Sequence, residues 1–113
     1  MAKNESRRRY AVNFDLTIAD LRQFYDNTHP KRAYGEIKRY MLKNGFSHRQ
    51  YSGYISNSTL SRPELYTFFK NLHKTFPWLI KCEGSMDATV ITDIFDIKQM
   101  ILDSEDEDID VGL

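Results

Sequence analysis

Apolar and polar residues alternate near the start of the chain and then recur at helical spacing. Tyr10, Val12 and Phe14 alternate with polar or small residues, and this period of two predicts a strand over residues 9–16. The apolar residues that follow lie three or four positions apart, which predicts a short helix over residues 17–25. The fold is therefore expected to begin with a strand and a helix.

A longer helix is predicted to start near Pro30, because proline is tolerated in the first turn of a helix. Tyr34, Ile37 and Met41 recur at the spacing of one helix face, and the basic residues of this stretch fall mostly elsewhere. Gly45 ends the helix, since glycine readily adopts the left-handed conformation found at helix C-termini. The segment is therefore predicted to be an amphipathic helix.

The following segments predict a hairpin and another helix. Residues 46–50 and 53–57 are expected to form two short strands around a tight turn. Ser61 and Glu64 have the spacing of a capping box, in which each side chain satisfies an amide at the start of a helix. An apolar stripe follows at helical spacing, and Pro77 marks the end of the helix. We interpret this stripe as core rather than as a cofactor-binding segment.

The last predicted strand covers residues 88–95, although the apolar residues through Ile101 also fit a short helix. The order strand, helix, strand, strand, helix, strand predicts an α+β, ferredoxin-like (βαββαβ) domain, with an antiparallel sheet and two helices on one face. Such a sheet leaves its other face bare. Ferredoxin-like domains often cover that face by pairing, so a homodimer is expected. We expect a basic arm over residues 1–8, one domain over residues 9–102, and an acidic, disordered tail over residues 103–113.

The net charge of zero hides a division along the chain. Residues 1–82 contain 15 Lys and Arg against 6 Asp and Glu, whereas residues 83–113 contain 1 against 10. The basic body predicts an anionic partner. The acidic end is interpreted either as a solvated tail or as a competitor for the same basic surface. The single cysteine, Cys82, and the lack of a long apolar run predict a cytoplasmic protein with no disulfide, signal peptide or membrane span.

Basic residues near aromatic residues favour a single-stranded nucleic acid as the anionic partner. Neutralisation of phosphates dominates nonspecific RNA affinity, and aromatic rings beside arginine bind single-stranded bases by stacking and cation–π contacts. For each residue, the alternative is an ordinary solvated helix face or a core tyrosine. The candidate RNA-binding residues are Arg9, Lys31, Arg32, Lys38, Arg39, Arg49, Tyr51 and Tyr54.

His48 is a candidate catalytic residue, because histidine acts as a general acid or base near neutral pH. The alternative is a structural or merely exposed histidine in a strand. Cys82 has no histidine or second cysteine at ligand spacing, which argues against a zinc site or a redox pair. The five glycines are scattered and form no phosphate-binding fingerprint, which disfavours enzymes with nucleotide cofactors.

Three segments together resemble a known family. They are YAVNFDL at residues 10–16, AYGEI at 33–37 leading to NGF at 44–46, and QYSGY at 50–54 followed by a helix and Trp78. Their order and spacing are similar to those of the virulence-associated protein D (VapD) family. The resemblance implies a modified ferredoxin-like fold related to the small nucleases of CRISPR adaptation. It also implies an endoribonuclease toxin, often with an antitoxin as its partner.

The resemblance also implies roles for individual residues. Asp15 matches the aspartate that ends the family's first strand, which makes it a candidate catalytic residue. It is also the candidate ligand of a divalent metal such as Mg²⁺, shared across the dimer. Ser52 matches a small polar residue of the hairpin turn, where it would hydrogen-bond to a phosphate. The family has an arginine-containing segment in its last strand, whereas residues 83–90 of this chain contain no arginine.

Three functions stay open at this point. The first is an endoribonuclease of the toxin–antitoxin type, and we favour it on the resemblance and the basic body. The second is a noncatalytic RNA-binding or regulatory dimer, motivated by the arginine-free last strand. The third is a protein-interaction module that uses the acidic tail, motivated by the division of charge.

Overall fold

The computed structural model describes residues 6–50, 53–91 and 97–107. In chain order, the elements are β1 (Arg9–Leu16), α1 (Ile18–Phe24), α2 (Arg32–Lys43), β2 (Phe46–Gln50), β3 (Gly53–Ser56), α3 (Arg62–Thr75), α4 (Leu79–Cys82), β4 (Glu83–Ile91) and α5 (Ile97–Glu107). The predicted strands and helices up to α3 are thus present in the predicted order.

β1 lies inside a four-stranded sheet with the order β2-β3-β1-β4. It pairs in the antiparallel sense with both β3 and β4, and β2 pairs in the same sense with β3. Helices connect β1 to β2 and β3 to β4, so each connection skips one strand of the sheet. This topology confirms the α+β class and is that of a ferredoxin-like domain.

The core lies on one face of the sheet. Val12 and Phe14 of β1 are buried, whereas Asn13 and Asp15 are exposed, as expected for the period of two in a strand. All four helices between β1 and β4 cover the buried face. Their buried residues are Leu21, Ala33, Ile37, Met41, Leu72, Leu79 and Cys82. On the opposite face, the described residues are exposed or half-buried, among them Asn13, Ser85 and Thr89.

Two predicted helix boundaries are confirmed by their backbone geometry. Ser61 Oγ accepts a hydrogen bond from the Glu64 N–H at 3.2 Å, and Glu64 Oε1 accepts from the Ser61 N–H at 2.9 Å. These reciprocal bonds form the predicted capping box of α3. Gly45 follows α2 with a φ of 94°, in the left-handed region where a side chain would be strained.

The C-terminal elements differ from the predicted boundaries. β4 begins at Glu83 rather than at residue 88, because backbone pairing with β1 continues as far as Glu83, which lies opposite Leu16. The helical alternative near the end of the chain is confirmed, since α5 begins at Ile97. The predicted domain boundary at residue 102 falls within α5, and the end of the predicted strand, residues 92–95, lies outside the described residues.

Cys82 is a buried free cysteine. Burial raises the pKa of its thiol, which makes it a poor nucleophile because the thiolate is the reactive form. In the part of the chain that the structure describes, no helix is both long enough and apolar enough to cross a bilayer.

Candidate active site

Five of the predicted site residues meet at one cavity, which we call the α2 cavity. It lies between α2, the end of β1 and the β2–β3 hairpin, and its volume is about 570 Å³. Ligand pockets typically measure about 300–1,000 Å³. The predicted residues in its lining are Asp15, Lys31, Lys38, His48 and Tyr54, and the lining is completed by Ile18, Tyr34 and Gly35.

The helical period explains how the start of α2 forms one wall of the cavity. Lys31, Tyr34, Gly35 and Lys38 are spaced i, i+3, i+4 and i+7, which places them on one helix face. Both lysines are exposed, whereas Tyr34 and Gly35 are half-buried. Two cations separated by an aromatic ring and a glycine therefore border the α2 cavity.

The β2–β3 hairpin supplies an imidazole and a phenol to the opposite wall. His48 pairs with Tyr54 across the ladder, and the centroids of their rings lie 4.8 Å apart. Burial raises the pKa of Tyr54 to about 12. The phenol therefore stays protonated at neutral pH, so it can donate a hydrogen bond but cannot act as a base. His48 is half-buried in the lining, and histidine is the side chain suited to proton transfer near neutral pH.

Asp15 lies between the α2 cavity and β4. Its Oδ1 accepts hydrogen bonds from the Ser85 N–H at 2.7 Å and from the Ser85 hydroxyl at 2.9 Å. A Cβ atom at Gly84 would lie 3.1 Å from the same oxygen, so glycine leaves room for the carboxylate. The strand register shifts just after Asp15. Asp15 thus stabilises this irregular end of the β1–β4 ladder, in addition to any chemical role.

The described residues around the α2 cavity offer few donor atoms to a magnesium ion. Mg²⁺ demands near-octahedral oxygen coordination, usually from one or two carboxylates together with waters and phosphates. Asp15 supplies the carboxylate of the α2 cavity lining, and one of its oxygens is already bonded to Ser85. No group of three or more His, Cys, Asp or Glu residues suited to a metal occurs within the described ranges. A metal held by two Asp15 carboxylates would need a second chain.

Four of the predicted RNA-binding residues lie outside the lining of the α2 cavity. Arg9 is at the other end of β1, about 20 Å from Asp15 along the strand, and its Nε donates to the Ser56 carbonyl oxygen at 2.9 Å. The fold thus uses Arg9 to connect β1 to the end of β3. The other three are exposed and are Arg32, Arg39 and Arg49.

Two further predicted residues lie between β2 and β3 in the sequence. Tyr51 and Ser52 lie outside the described residues. Arg39 is close to the cavity wall without lining it, because a Cβ atom at Gly35 would lie 3.8 Å from Arg39 Nη1. The roles predicted for all three stay predictions.

Contacts in the α1–α2 loop position the cationic end of α2. Asp26 Oδ1 accepts from the backbone N–H groups of His29 at 3.0 Å and Thr28 at 2.8 Å. These two bonds hold the pKa of Asp26 below its usual range. Tyr25 donates to Glu36 of α2, and burial, together with this carboxylate, raises the pKa of Tyr25 to about 12. Hydrogen bonds within the loop and one hydrogen bond to α2 therefore hold the loop in place.

Sequence reasoning missed several residues of this region. It assigns Tyr34 to the apolar face of α2 and gives Gly35 no role in the site. The signal that would find both is the pair of lysines seven positions apart, because residues three and four positions after Lys31 lie on the same face as Lys38. Ser85 has no such signal, since its contact with Asp15 depends on the register of strands that are distant in sequence.

The chain is similar to a curated ribonuclease. It is 26% identical to Endoribonuclease VapD 2 of Riemerella anatipestifer over 73 residues, which make up 65% of this chain and 78% of that protein. No protein-family model matches the chain. The similarity is distant and partial, and it agrees with the VapD resemblance seen in the sequence motifs.

Proposed function

We propose that this protein is a VapD-type endoribonuclease that cleaves RNA at the α2 cavity. The observation that carries the proposal is the convergence of His48 with Lys31 and Lys38 around one cavity. A base that activates the nucleophile and cations that stabilise the developing negative charge can together promote phosphodiester cleavage. The distant similarity to a protein named an endoribonuclease supports the same reaction class.

The arrangement favours cleavage by internal transesterification. His48 would take the proton of a ribose 2′-hydroxyl, and the resulting oxygen would attack the adjacent phosphorus. The bond from phosphorus to the 5′-oxygen then breaks, and the leaving oxygen takes up a proton from solvent. The products are a 2′,3′-cyclic phosphate and a 5′-hydroxyl, and no metal step is needed.

The other residues of the cavity would bind and orient the RNA. Lys31 and Lys38 are placed to neutralise the phosphate, whose negative charge increases as the 2′-oxygen attacks. The ring of Tyr34 offers a surface on which a base can stack. Tyr54 is a hydrogen-bond donor at neutral pH, and burial raises the pKa of its phenol further from neutrality, to about 12.

The finer parts of this proposal have separate grounds. A toxin role with a cognate antitoxin rests on the VapD resemblance. The homodimer rests on the bare face of the sheet, and the location in the cytoplasm rests on the single cysteine and the lack of a long apolar run. A role for Mg²⁺ rests on the resemblance and on the homodimer, since two Asp15 carboxylates would have to meet across a dimer axis.

The test is a cleavage assay on a labelled single-stranded RNA, with magnesium and with chelator. We expect cleavage in both conditions and a 2′,3′-cyclic phosphate at the new end. An RNA in which one nucleotide lacks its 2′-hydroxyl should be protected at that position alone. Cleavage that requires magnesium and leaves a 3′-hydroxyl would instead favour metal-assisted hydrolysis.

A noncatalytic RNA-binding dimer is the second candidate. It is favoured by the Asp15 carboxylate, which the Ser85 amide and hydroxyl already bind, and by the absence of arginine from β4. It predicts salt-dependent RNA binding without turnover. A folded protein that binds the labelled RNA and leaves it intact in every condition would establish this reading.

A further inference from the structure

A second concave surface, which we call the α3 groove, runs between α3 and β4. Its volume is about 670 Å³. The floor is apolar and includes Leu65 and Phe69 of α3 and Met86 of β4, all partly buried. Tyr66 and Ile80 flank it and are 67% and 63% exposed. Large side chains are thus left open to water on this side of the molecule, where burial would stabilise them.

The charged residues of the α3 groove lie around this apolar floor. Arg62, Lys70 and Lys74 are exposed along α3, and the Lys70 ammonium lies 5.5 Å from the centre of the Tyr66 ring. Of the two acidic residues in the lining, Glu83 is bonded to His73 at 3.1 Å. Cations outnumber acids around the groove, so an acidic, amphipathic partner would complement it.

The α5 helix has that complementary chemistry. Ile97, Met100 and Ile101 are spaced i, i+3 and i+4 on one helix face, and each is more than half exposed. The same helix has four acidic residues and one lysine. An isolated helix shorter than about 12–15 residues is marginal in water, and α5 has 11 residues. A surface that covers its apolar face would therefore stabilise it.

The length of α5 and the exposed edge of the sheet are also consistent with docking of this helix in the α3 groove. α5 is about 16 Å long, and the stretch of α3 between Arg62 and Lys74 is about 18 Å long, at about 1.5 Å per residue. β4 is an edge strand of nine residues within the described sheet. Exposed edges of this length invite unwanted pairing, and a covering helix is one of the ways in which proteins protect them.

We propose that α5 of one copy docks in the α3 groove of a second copy, and that two copies exchange these helices about a twofold axis. The structure of a single chain leaves both surfaces uncovered, with the apolar face of α5 exposed and the groove open. In a twofold dimer, each copy inserts its α5 into the α3 groove of the other copy, so both helices and both grooves are covered. The acidic end of α5 would then lie near the cations of the α3 groove.

The first test measures self-association by sedimentation or light scattering over a range of protein concentrations. We expect a dimer that weakens as salt increases, because charges contribute to docking. Ile101→Asp should weaken the dimer at least about tenfold, since it exchanges a buried apolar side chain for a charge. Leu42→Asp is the matched control, because Leu42 is an exposed apolar residue of α2 outside the groove. It should leave the dimer intact, and circular dichroism verifies the fold of both variants.

The second test identifies the occupant of the α3 groove by disulfide trapping. One chain carries Tyr66→Cys, a size-tagged chain carries Ile101→Cys, and the two are mixed under mild oxidation. Wild-type protein controls for Cys82, which is buried. We expect a disulfide between the two chains, because docking brings the two positions within the reach of a disulfide bond.

Three results would overturn the proposal. A chain that stays monomeric at every concentration has no second copy to bind. A dimer that survives Ile101→Asp unchanged must use another surface, such as the bare sheet face. A third variant carries both Tyr66→Cys and Ile101→Cys. A disulfide that forms within this variant, and not between the two single-substitution chains, would show that α5 covers its own groove. None of these results depends on RNA cleavage, so the docking and the ribonuclease activity can fail separately.

Discussion

The α2 cavity and the α3 groove have similar volumes, about 570 and 670 Å³, and each is bordered by lysines of a neighbouring helix. Their linings differ. The α2 cavity places an imidazole, two tyrosine rings and the Asp15 strand end beside its lysines. The α3 groove has an apolar floor, with its charged residues along α3 and β4.

The difference shows that a lysine's role depends on what surrounds it. Lys31 and Lys38 share one helix face with an aromatic ring, opposite an imidazole, which suits phosphate binding and proton transfer. Lys70 and Lys74 lie beside an apolar surface, where they can orient an acidic helix. The imidazole of this groove, His73, is bonded at both ring nitrogens, to the Phe69 carbonyl oxygen at 2.8 Å and to Glu83 at 3.1 Å. By net charge alone, the two lysines of the α2 cavity could not be distinguished from the two lysines of the α3 groove.

The largest effect is expected for His48→Ala, which tests whether the α2 cavity, rather than the α3 groove, is the site of cleavage. We expect RNA cleavage to decrease by about 10²–10⁴-fold, the usual contribution of general acid–base catalysis, with the fold retained. Single-turnover cleavage rates provide the measurement. His29→Ala is the matched control, because His29 is exposed in the α1–α2 loop and lies outside the cavity lining. Equal rates for wild type and His48→Ala would remove the α2 cavity from the mechanism.

Two charge-matched double variants would sharpen the comparison. Lys31→Ala combined with Lys38→Ala should lower RNA affinity by about 10–100-fold at low salt, since hydrogen bonds to charged groups are the stronger ones. The slope of log affinity against log salt should decrease by about 1.4, or about 0.7 for each phosphate that is no longer neutralised. Lys70→Ala combined with Lys74→Ala removes the same charge and should change RNA affinity less than about twofold. Fluorescence anisotropy with a labelled RNA distinguishes the pairs, and equal decreases in affinity would indicate binding by overall charge alone.

Asp15 connects the two regions, because it lines the α2 cavity and binds β4, which forms a wall of the α3 groove. Asp15→Ala removes both bonds from Ser85 and should lower the free energy of unfolding by about 1–2 kcal/mol. Asp15→Asn keeps an oxygen that can accept these bonds and should cost less. Urea unfolding of both variants, together with their cleavage rates, separates stability from chemistry. A stable Asp15→Asn protein that no longer cleaves RNA would give Asp15 a catalytic role.

The smallest expected effect is a pH dependence at the start of α2. The His29 and Thr28 amides lower the pKa of Asp26 in the folded protein below its ordinary value of 3.8. The charged carboxylate therefore stabilises the fold above about pH 4, and this contribution is lost as pH falls through the lower, folded pKa. Asp26→Asn should reduce the loss of stability between pH 5 and the acid limit, whereas an unchanged acid profile would contradict this role. Chemical unfolding at several pH values provides the measurement.

Much of the fold could be predicted from local patterns. The alternation around Val12 predicted β1, the Ser61–Glu64 spacing predicted the α3 capping box, and Gly45 predicted the end of α2. Each of these signals depends on residues that are close in sequence. β4 was harder, because residues 83–87 lack the alternation of apolar residues typical of a strand and form one through pairing with β1. The start of β4 was therefore predicted too late.

The sequence identified several residues of the candidate site individually, but it did not predict that they line one cavity. Asp15, Lys31, Lys38, His48 and Tyr54 were all named from the sequence, and all five line one cavity. Arg9 was named with them, yet it lies at the opposite end of β1 and bonds to Ser56. Residue type marks which side chains can bind RNA, whereas strand register and helix packing decide which of them meet.

The sequence by itself determined most of the elements and their order, the division of charge along the chain and most of the residues suited to RNA chemistry. Those properties follow from periodicity and composition, which are local. Only the tertiary structure decided that His48 faces α2 across a cavity, that Asp15 binds a serine 70 positions away, and that α3 and β4 form an open groove. These contacts depend on long-range register, because cross-strand neighbours and packed helices are brought together by the core rather than by proximity along the chain.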